Sequence, residues 1–287
     1  MIPKLFCLGA AKSGTTTLAD ILKEHPEIYI PDIKETHFFD YYFDKGLEWY
    51  INRFYTQRKK EIWAADFTPA YLFMEDIPEK ISQTIGKDAK FLVILRNPAK
   101  RAYSHFLMST RKGHETLSFS KALQKEGERI QRDYLSKMRF SYISRGYYYD
   151  QISRYFKLFD RSNFHVVIFE EFINNPEEET KKVLRFLGVD ENFSLDYNVK
   201  SNQKYSIRSR VLQRVISIAT DFFSRIHFKP RFLVKTRTTL ININKGITNK
   251  EEVEPDFIQI NQVYFKEDIE KLSELLGKDL LTIWPRD

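Results

Sequence analysis

The sequence contains one cysteine, Cys7, in 287 residues. No intrachain disulfide can form, which fits a reducing compartment. Cys7 lies inside an apolar run and reads as a small core residue rather than a nucleophile. Long hydrophobic runs are missing too. No segment approaches the about 20 apolar residues that span a bilayer. The run Leu5–Ala11 is short and weakly flanked by basic residues, so it reads as a strand and not as a signal peptide. A cytoplasmic protein without a membrane span is the expectation. Internal repeats and low-complexity linkers are likewise absent, and the chain, 1–287, is read as a single domain.

What is present is aromatic and unevenly charged. A hydrophobic content of 42%, with 24 Phe and 16 Tyr, argues for an ordered globular protein. Residues 200–250 hold 12 Lys and Arg against one acid, Asp221. That segment carries +11 of a net +7, leaving −4 on the rest. It suits an anionic ligand or is a solvated face.

Short β-rich runs alternate with helical patterns. Strands are expected at Lys4–Leu8, Ile62–Phe67, Lys90–Leu95 and Asn163–Phe169. Helices are expected from Thr15 to Glu24, after Asn97-Pro98 to Lys112, over Gly146–Phe159, from Asn175 to Gly188, and over Pro255–Leu276. Such alternation implies βαβ units. The fold class is α/β, a P-loop-like three-layer arrangement with a central parallel sheet flanked by helices and a helical, basic C-terminal part.

The segment Gly9-Ala-Ala-Lys-Ser-Gly14-Thr-Thr-Thr17 follows a strand and opens a helix. A helix N-terminus offers backbone N–H groups and partial positive charge to a phosphate. Lys12 adds charge, and Ser13, Thr15, Thr16 and Thr17 add hydroxyl donors. Gly14 keeps the backbone open, though an ordinary glycine turn would look similar. The loop is not a Walker A motif, because Thr15 and not lysine follows Gly14, and the lysine stands earlier. Strand Lys90–Leu95 runs into Arg96 rather than a Mg²⁺-holding aspartate. Both departures count against an ATPase or GTPase, and no metal ligand set is expected. Arg96 and Ser104 offer a guanidinium and a hydroxyl to a second, separate phosphate, although Arg96 alone could pair with a carboxylate.

Together these motifs resemble those of sulfotransferases that use 3′-phosphoadenosine 5′-phosphosulfate (PAPS). Lys12–Leu18 is similar to their 5′-phosphosulfate loop, and Arg96–Ser104 to their 3′-phosphate motif. Lys34-Glu-Thr-His-Phe-Phe-Asp40 resembles the heparan sulfate branch and its bacterial relatives. Further similarity lies in Asp66–Tyr71, Gly146-Tyr-Tyr, Phe169–Phe172 and Leu275–Trp284. The resemblance implies sulfuryl transfer to a hydroxyl or amine, leaving adenosine 3′,5′-bisphosphate (PAP). It places Ser13, Gly14, Thr15 and Thr16 on the donor's 5′ end and Arg96 and Ser104 on its 3′-phosphate. It makes Lys12 the leaving-group stabiliser and Glu35 the general base. Read from the residues alone, Glu35 is a surface carboxylate in a charged loop. His37, two residues on, is an alternative base or an orienting group if the segment is extended. Lys204, Arg208 and Arg210 are further donor contacts chosen by charge.

Two features depart from that branch. Phe67 stands where it has a lysine before Thr-Pro-Ala-Tyr, and a one-cysteine chain cannot form its disulfide-tied C-terminal loop. The expected acceptor carries a hydroxyl, first of all on a carbohydrate such as an anionic saccharide, with a lipid or small metabolite left open. Phe38, Phe39, Tyr41 and Tyr42 are candidates for an acceptor wall, or for core. Nucleic acid is not an expected partner. The rival readings are a small-molecule or nucleoside kinase and a non-catalytic polyanion binder acting through residues 200–250.

Overall fold

The computed structural model describes residues 2–197 and 255–284, together with 206–207, 209, 214–215 and 244–246. Five strands, β1 (Leu5–Gly9), β2 (Ile28–Tyr29), β3 (Trp63–Asp66), β4 (Lys90–Leu95) and β5 (Phe164–Ile168), form a parallel sheet in the order β2-β3-β1-β4-β5. Strand β1 is central, with Phe6 opposite Asp66 on one side and Phe91 on the other. Its side chains alternate between two cores. Phe6 and Leu8 join Phe91, Val93 and Leu95 on one face. Leu5 and Cys7 join Leu92 and Ile94 on the opposite face. Burying each such side chain contributes about 1.5–3 kcal/mol, so both faces must be covered by helices. That requirement produces the three layers. Burial also drives the Cys7 thiol up to about 12, which leaves it an inert core group.

The connecting helices are α1 (Thr15–Leu22), α2 (Gly46–Phe54), α3 (Ile77–Thr84), α4 (Pro98–Arg111), α5 (Phe119–Gln124), α6 (Glu126–Ile130), α7 (Tyr134–Phe140), α8 (Tyr148–Phe156), α9 (Phe169–Asn174) and α10 (Pro176–Leu187). Asn97 caps α4 by accepting from the Lys100 N–H at 3.1 Å. Gly188, at φ +69°, ends α10 in the left-handed conformation. The single helix expected over Pro255–Leu276 is instead three pieces: α11 (Phe257–Ile260), a π-helical turn (Asn261–Phe265) and α12 (Lys266–Leu276). The widened turn buries Asn261 and Phe265, and the Asn261 side-chain Oδ1 accepts from the Ala99 N–H in the first turn of α4. The helix expected over Gly146–Phe159 is shorter, because Asp268 of α12 caps its start at Tyr148 and Tyr149. A last helix, α13 (Leu280–Ile283), leads to Trp284, whose indole N–H donates to Glu170 at 2.8 Å.

Among the described residues, no helix is long and apolar enough to cross a membrane. Lys204, Arg208, Arg210 and most of the basic 200–250 segment lie outside the described residues.

Candidate active site

Loop 10–14 joins β1 to α1 at the carboxyl end of the sheet, where ligands of open parallel sheets bind. Gly14 is the N-cap of α1 at φ +88°, with no side-chain cap and no acid in the first turn. A Cβ there would lie 3.0 Å from the Phe169 ring, so glycine is required by contact as well as by conformation. Arg96 leaves β4 toward the same loop. Its guanidinium lies 4.6 Å from the centre of the Phe169 ring and donates to the Lys12 carbonyl at 3.1 Å. Glu170 and Tyr148 hold the Arg96-Asn97 corner. The carboxylate accepts from the Asn97 N–H at 3.0 Å, and the tyrosine hydroxyl donates to the Arg96 carbonyl at 3.0 Å.

Two buried polar atoms in this cradle, Ser13 Oγ and Arg96 Nε, have no hydrogen-bond partner within the protein. Leaving such groups unpaired costs about 1–3 kcal/mol each. The Lys12 amine is pulled down to about 8 by burial and by the charges of Arg111, Lys112 and Arg96, against a smaller upward pull from Glu35. Orphaned donors and converging cations fit an anionic ligand of more than one charge. Thr15 is buried beside them, while Thr16, Thr17 and Ser104 remain partly accessible on α1 and α4.

The Lys34–Asp40 segment faces this cradle. It has no regular secondary structure, and hydrogen bonds to β3 and the turn after it hold it in place. Asp66, fully buried, accepts from four hydroxyls: Thr36 at 2.5 Å, Thr68 at 2.6 Å, Tyr50 at 2.7 Å and Tyr71 at 3.0 Å. Burial raises its carboxyl, and those four hydrogen bonds oppose the rise. The Phe67 N–H donates to the Lys34 carbonyl, and the Phe39 N–H to the Tyr71 hydroxyl. Glu35 and His37 are therefore carried on either side of a clamped Thr36. Phe67 itself is buried core, so its side chain makes no cationic contact to a ligand.

Glu35 stands 44% exposed, with Lys34 Nζ at 2.9 Å and His37 Nε2 at 3.8 Å. The other ring nitrogen of His37, Nδ1, meets the wholly buried Asp40 carboxylate at 3.0 Å. Burial alone would lower the His37 pKa, but Asp40, Glu35 and Asp66 together raise it. Among the described non-glycine residues only Lys12, at φ +75°, and His37, at φ +51°, take a positive φ. Such conformations cost of order 1–3 kcal/mol and persist where surrounding structure enforces them; both lie in this site.

The acceptor-wall candidates divide. Phe38 and Phe39 are buried, with Phe38 stacked on Tyr50 at 4.2 Å, so they are core and not wall. Tyr41 and Tyr42 are exposed. Asp40, Asp66 and Tyr134 also belong to the site, beyond the residues its motifs mark. For Asp66 a signal existed, since it opens the Asp66–Tyr71 stretch that carries the resemblance.

A family model of the sulfotransferase domain matches residues 3–236. The chain belongs to the sulfotransferase family. Human heparan sulfate glucosamine 3-O-sulfotransferase 5 is 29% identical over 208 residues, covering 70% of this chain and 57% of the relative. Mouse heparan sulfate glucosamine 3-O-sulfotransferase 3B1 is 29% identical over 188 residues, covering 66% and 46%. The chain thus spans about half the length of these relatives. Among solved structures, a sulfotransferase from Alicyclobacillus acidocaldarius matches over 100% of both chains with a TM-score of 0.73 and 28% identity. Mouse sulfotransferase SULT7A1, solved with PAP, shares the fold at 18% identity and a TM-score of 0.50, covering 96% of this chain and 88% of its own. The five-stranded parallel sheet flanked by helices is the architecture of this family.

Proposed function

We propose that this chain transfers a sulfuryl group from PAPS to a hydroxyl of a carbohydrate acceptor. The observation that carries the reading is the cradle itself, where buried Ser13 Oγ and Arg96 Nε lack partners within the protein beside the Lys12 amine. Amid a cluster of cations, Glu35 is the acid whose field reaches the Lys12 amine. In-line displacement needs a base on the acceptor side and a cation on the leaving side, and Glu35 and Lys12 are the residues we assign to those roles.

The donor supplies a sulfuryl group already attached to a phosphate that leaves as PAP. Ser13, Gly14, Thr15, Thr16 and Thr17 would hold its 5′ end, with Arg96 and Ser104 on the 3′-phosphate. Glu35 takes the proton of the acceptor hydroxyl as that oxygen bonds to sulfur, a contribution of roughly 10²–10⁴ in rate. Lys12 donates to the phosphate oxygen as its bond to sulfur breaks. His37, held by Asp40 on one nitrogen, orients Glu35 with the other. The names of the heparan sulfate relatives and the exposed Tyr41 and Tyr42 at the end of the Lys34–Asp40 segment favour a saccharide acceptor.

Incubating the protein with sulfur-labelled PAPS and a panel of glycans, lipids and small alcohols, heparan sulfate included, tests this directly. A product heavier by one sulfuryl group on a sugar supports it. Label appearing only on lipid, or on nothing, counts against it.

A further inference from the structure

Helix α7 lies in the connection between α4 and α8, and its first residue is Tyr134. Asp133 caps the helix by accepting from the Ser136 N–H at 2.7 Å. Further along the helix, Lys137 Nζ lies 5.3 Å from the centre of the Phe73 ring. These contacts fix where Tyr134 points. Its hydroxyl donates to Asp40 Oδ2 at 2.7 Å. Its ring lies 5.4 Å from that of Tyr41, which is 59% exposed. The aromatic ledge continues through Tyr42 to Trp49, at ring spacings of 4.8 and 5.2 Å.

We propose that Tyr134 is a positioning residue of the transfer site: its hydroxyl holds Asp40, Asp40 holds His37, and His37 sets Glu35. The effect on rate rests on the proposed role of Glu35, whereas the control of His37 does not.

Asp40, a carboxylate with no exposed surface, depends on its donors. The side-chain hydrogen bonds made to it come from His37 Nδ1 and the Tyr134 hydroxyl. Arg145, Tyr71 and Tyr155 feel its charge from other elements. His37 itself faces Glu35 and Asp40 from its own segment and Asp66 from β3. Removing the Tyr134 hydroxyl leaves the carboxylate leaning on His37 alone, so that hydrogen bond strengthens and His37 keeps its proton to higher pH. Tyr134 therefore keeps His37 from being locked as a cation against Glu35. The same residue borders the exposed ledge, so acceptor seating and orientation of the base meet on one side chain.

The test is the ring titration of His37 by NMR in wild type and Tyr134→Phe, which keeps the ring and its packing on Tyr41. The His37 midpoint is expected to rise by about 1 pH unit, the scale of one lost hydrogen bond to a charged group. An unchanged midpoint in the folded variant overturns the proposal. Asp40→Asn is the second variant; it should move the midpoint the opposite way, and no movement there breaks the chain at Asp40. With an acceptor that turns over, Tyr134→Phe should lower kcat about tenfold at constant acceptor KM, while Tyr41→Ala should raise KM. A shifted midpoint with unchanged kcat leaves Tyr134 in control of His37 but overturns its positioning role in transfer, while loss of turnover in Glu35→Gln tests the base separately. A lowered kcat with an unmoved midpoint refutes the role of Tyr134.

Discussion

Loop 10–14 and the Lys34–Asp40 segment both belong to the candidate site but are built in opposite ways. The loop is local. Strand, glycines, lysine, hydroxyls and helix start occupy consecutive positions, and Arg96 joins them from the neighbouring strand. The Lys34–Asp40 segment is held from a distance, by Asp66, Thr68 and Tyr71 thirty or so residues on and by Tyr134 farther still. Anion binding can be specified by one stretch of chain because backbone N–H groups do much of the work. Setting a carboxylate against a reacting hydroxyl needs a frame that fixes its orientation, and that frame is tertiary.

Separating the two halves gives the largest expected effect. Glu35→Gln keeps the size and polarity of the side chain but removes the proposed base. Turnover should fall by roughly 10²–10⁴, while PAP affinity measured by calorimetry stays within about twofold of wild type. A variant retaining full turnover would show that the base lies elsewhere.

Asp66→Asn attacks the frame instead. One of the two side-chain oxygens becomes a donor, pointed at hydroxyls that already donate. A stability loss of about 2–4 kcal/mol is expected, seen as a melting point lower by roughly 5–10 °C. Turnover should drop with it while PAP still binds. Equal losses in PAP affinity and turnover would mean the two halves are not separable.

The smallest effect concerns the donor side alone. Lys12 loses its proton near pH 8 in the ligand-free protein, and only its charged form attracts a phosphate. PAP affinity should therefore be full below that pH and decline above it, with proton uptake on binding near pH 8. Lys12→Ala should flatten this dependence as well as weaken binding. A wild-type affinity that is level from pH 7 to 9.5 would contradict the placement of Lys12 against the anion.

The same division explains what could be read from the sequence. Strands β1, β3, β4 and β5 stood out because each is a short apolar run ending in a turn or cap, and the loop because its residues are consecutive. Strand β2 has two residues and no periodicity to detect. Asp66 looked like an ordinary strand-end acid, since only packing brings four hydroxyls to it. Tyr134 is 94 residues from Asp40, and no pattern in the chain links them. Helix 255–276 read as continuous because its composition is, while the π-helical turn answers to contacts with α4.

The claim at the centre of this account is that loop 10–14 and Arg96 hold a nucleotide with phosphates at both ends and no metal-bound triphosphate. Melting the protein with saturating PAP, and separately with ATP and Mg²⁺, tests it most directly. At a hundredfold excess over its Kd, PAP should stabilise by about 2.7 kcal/mol, a rise of several degrees, and ATP–Mg²⁺ should leave the melting point in place. Stabilisation by ATP–Mg²⁺ with none by PAP would contradict the account and favour a phosphoryl-transfer enzyme.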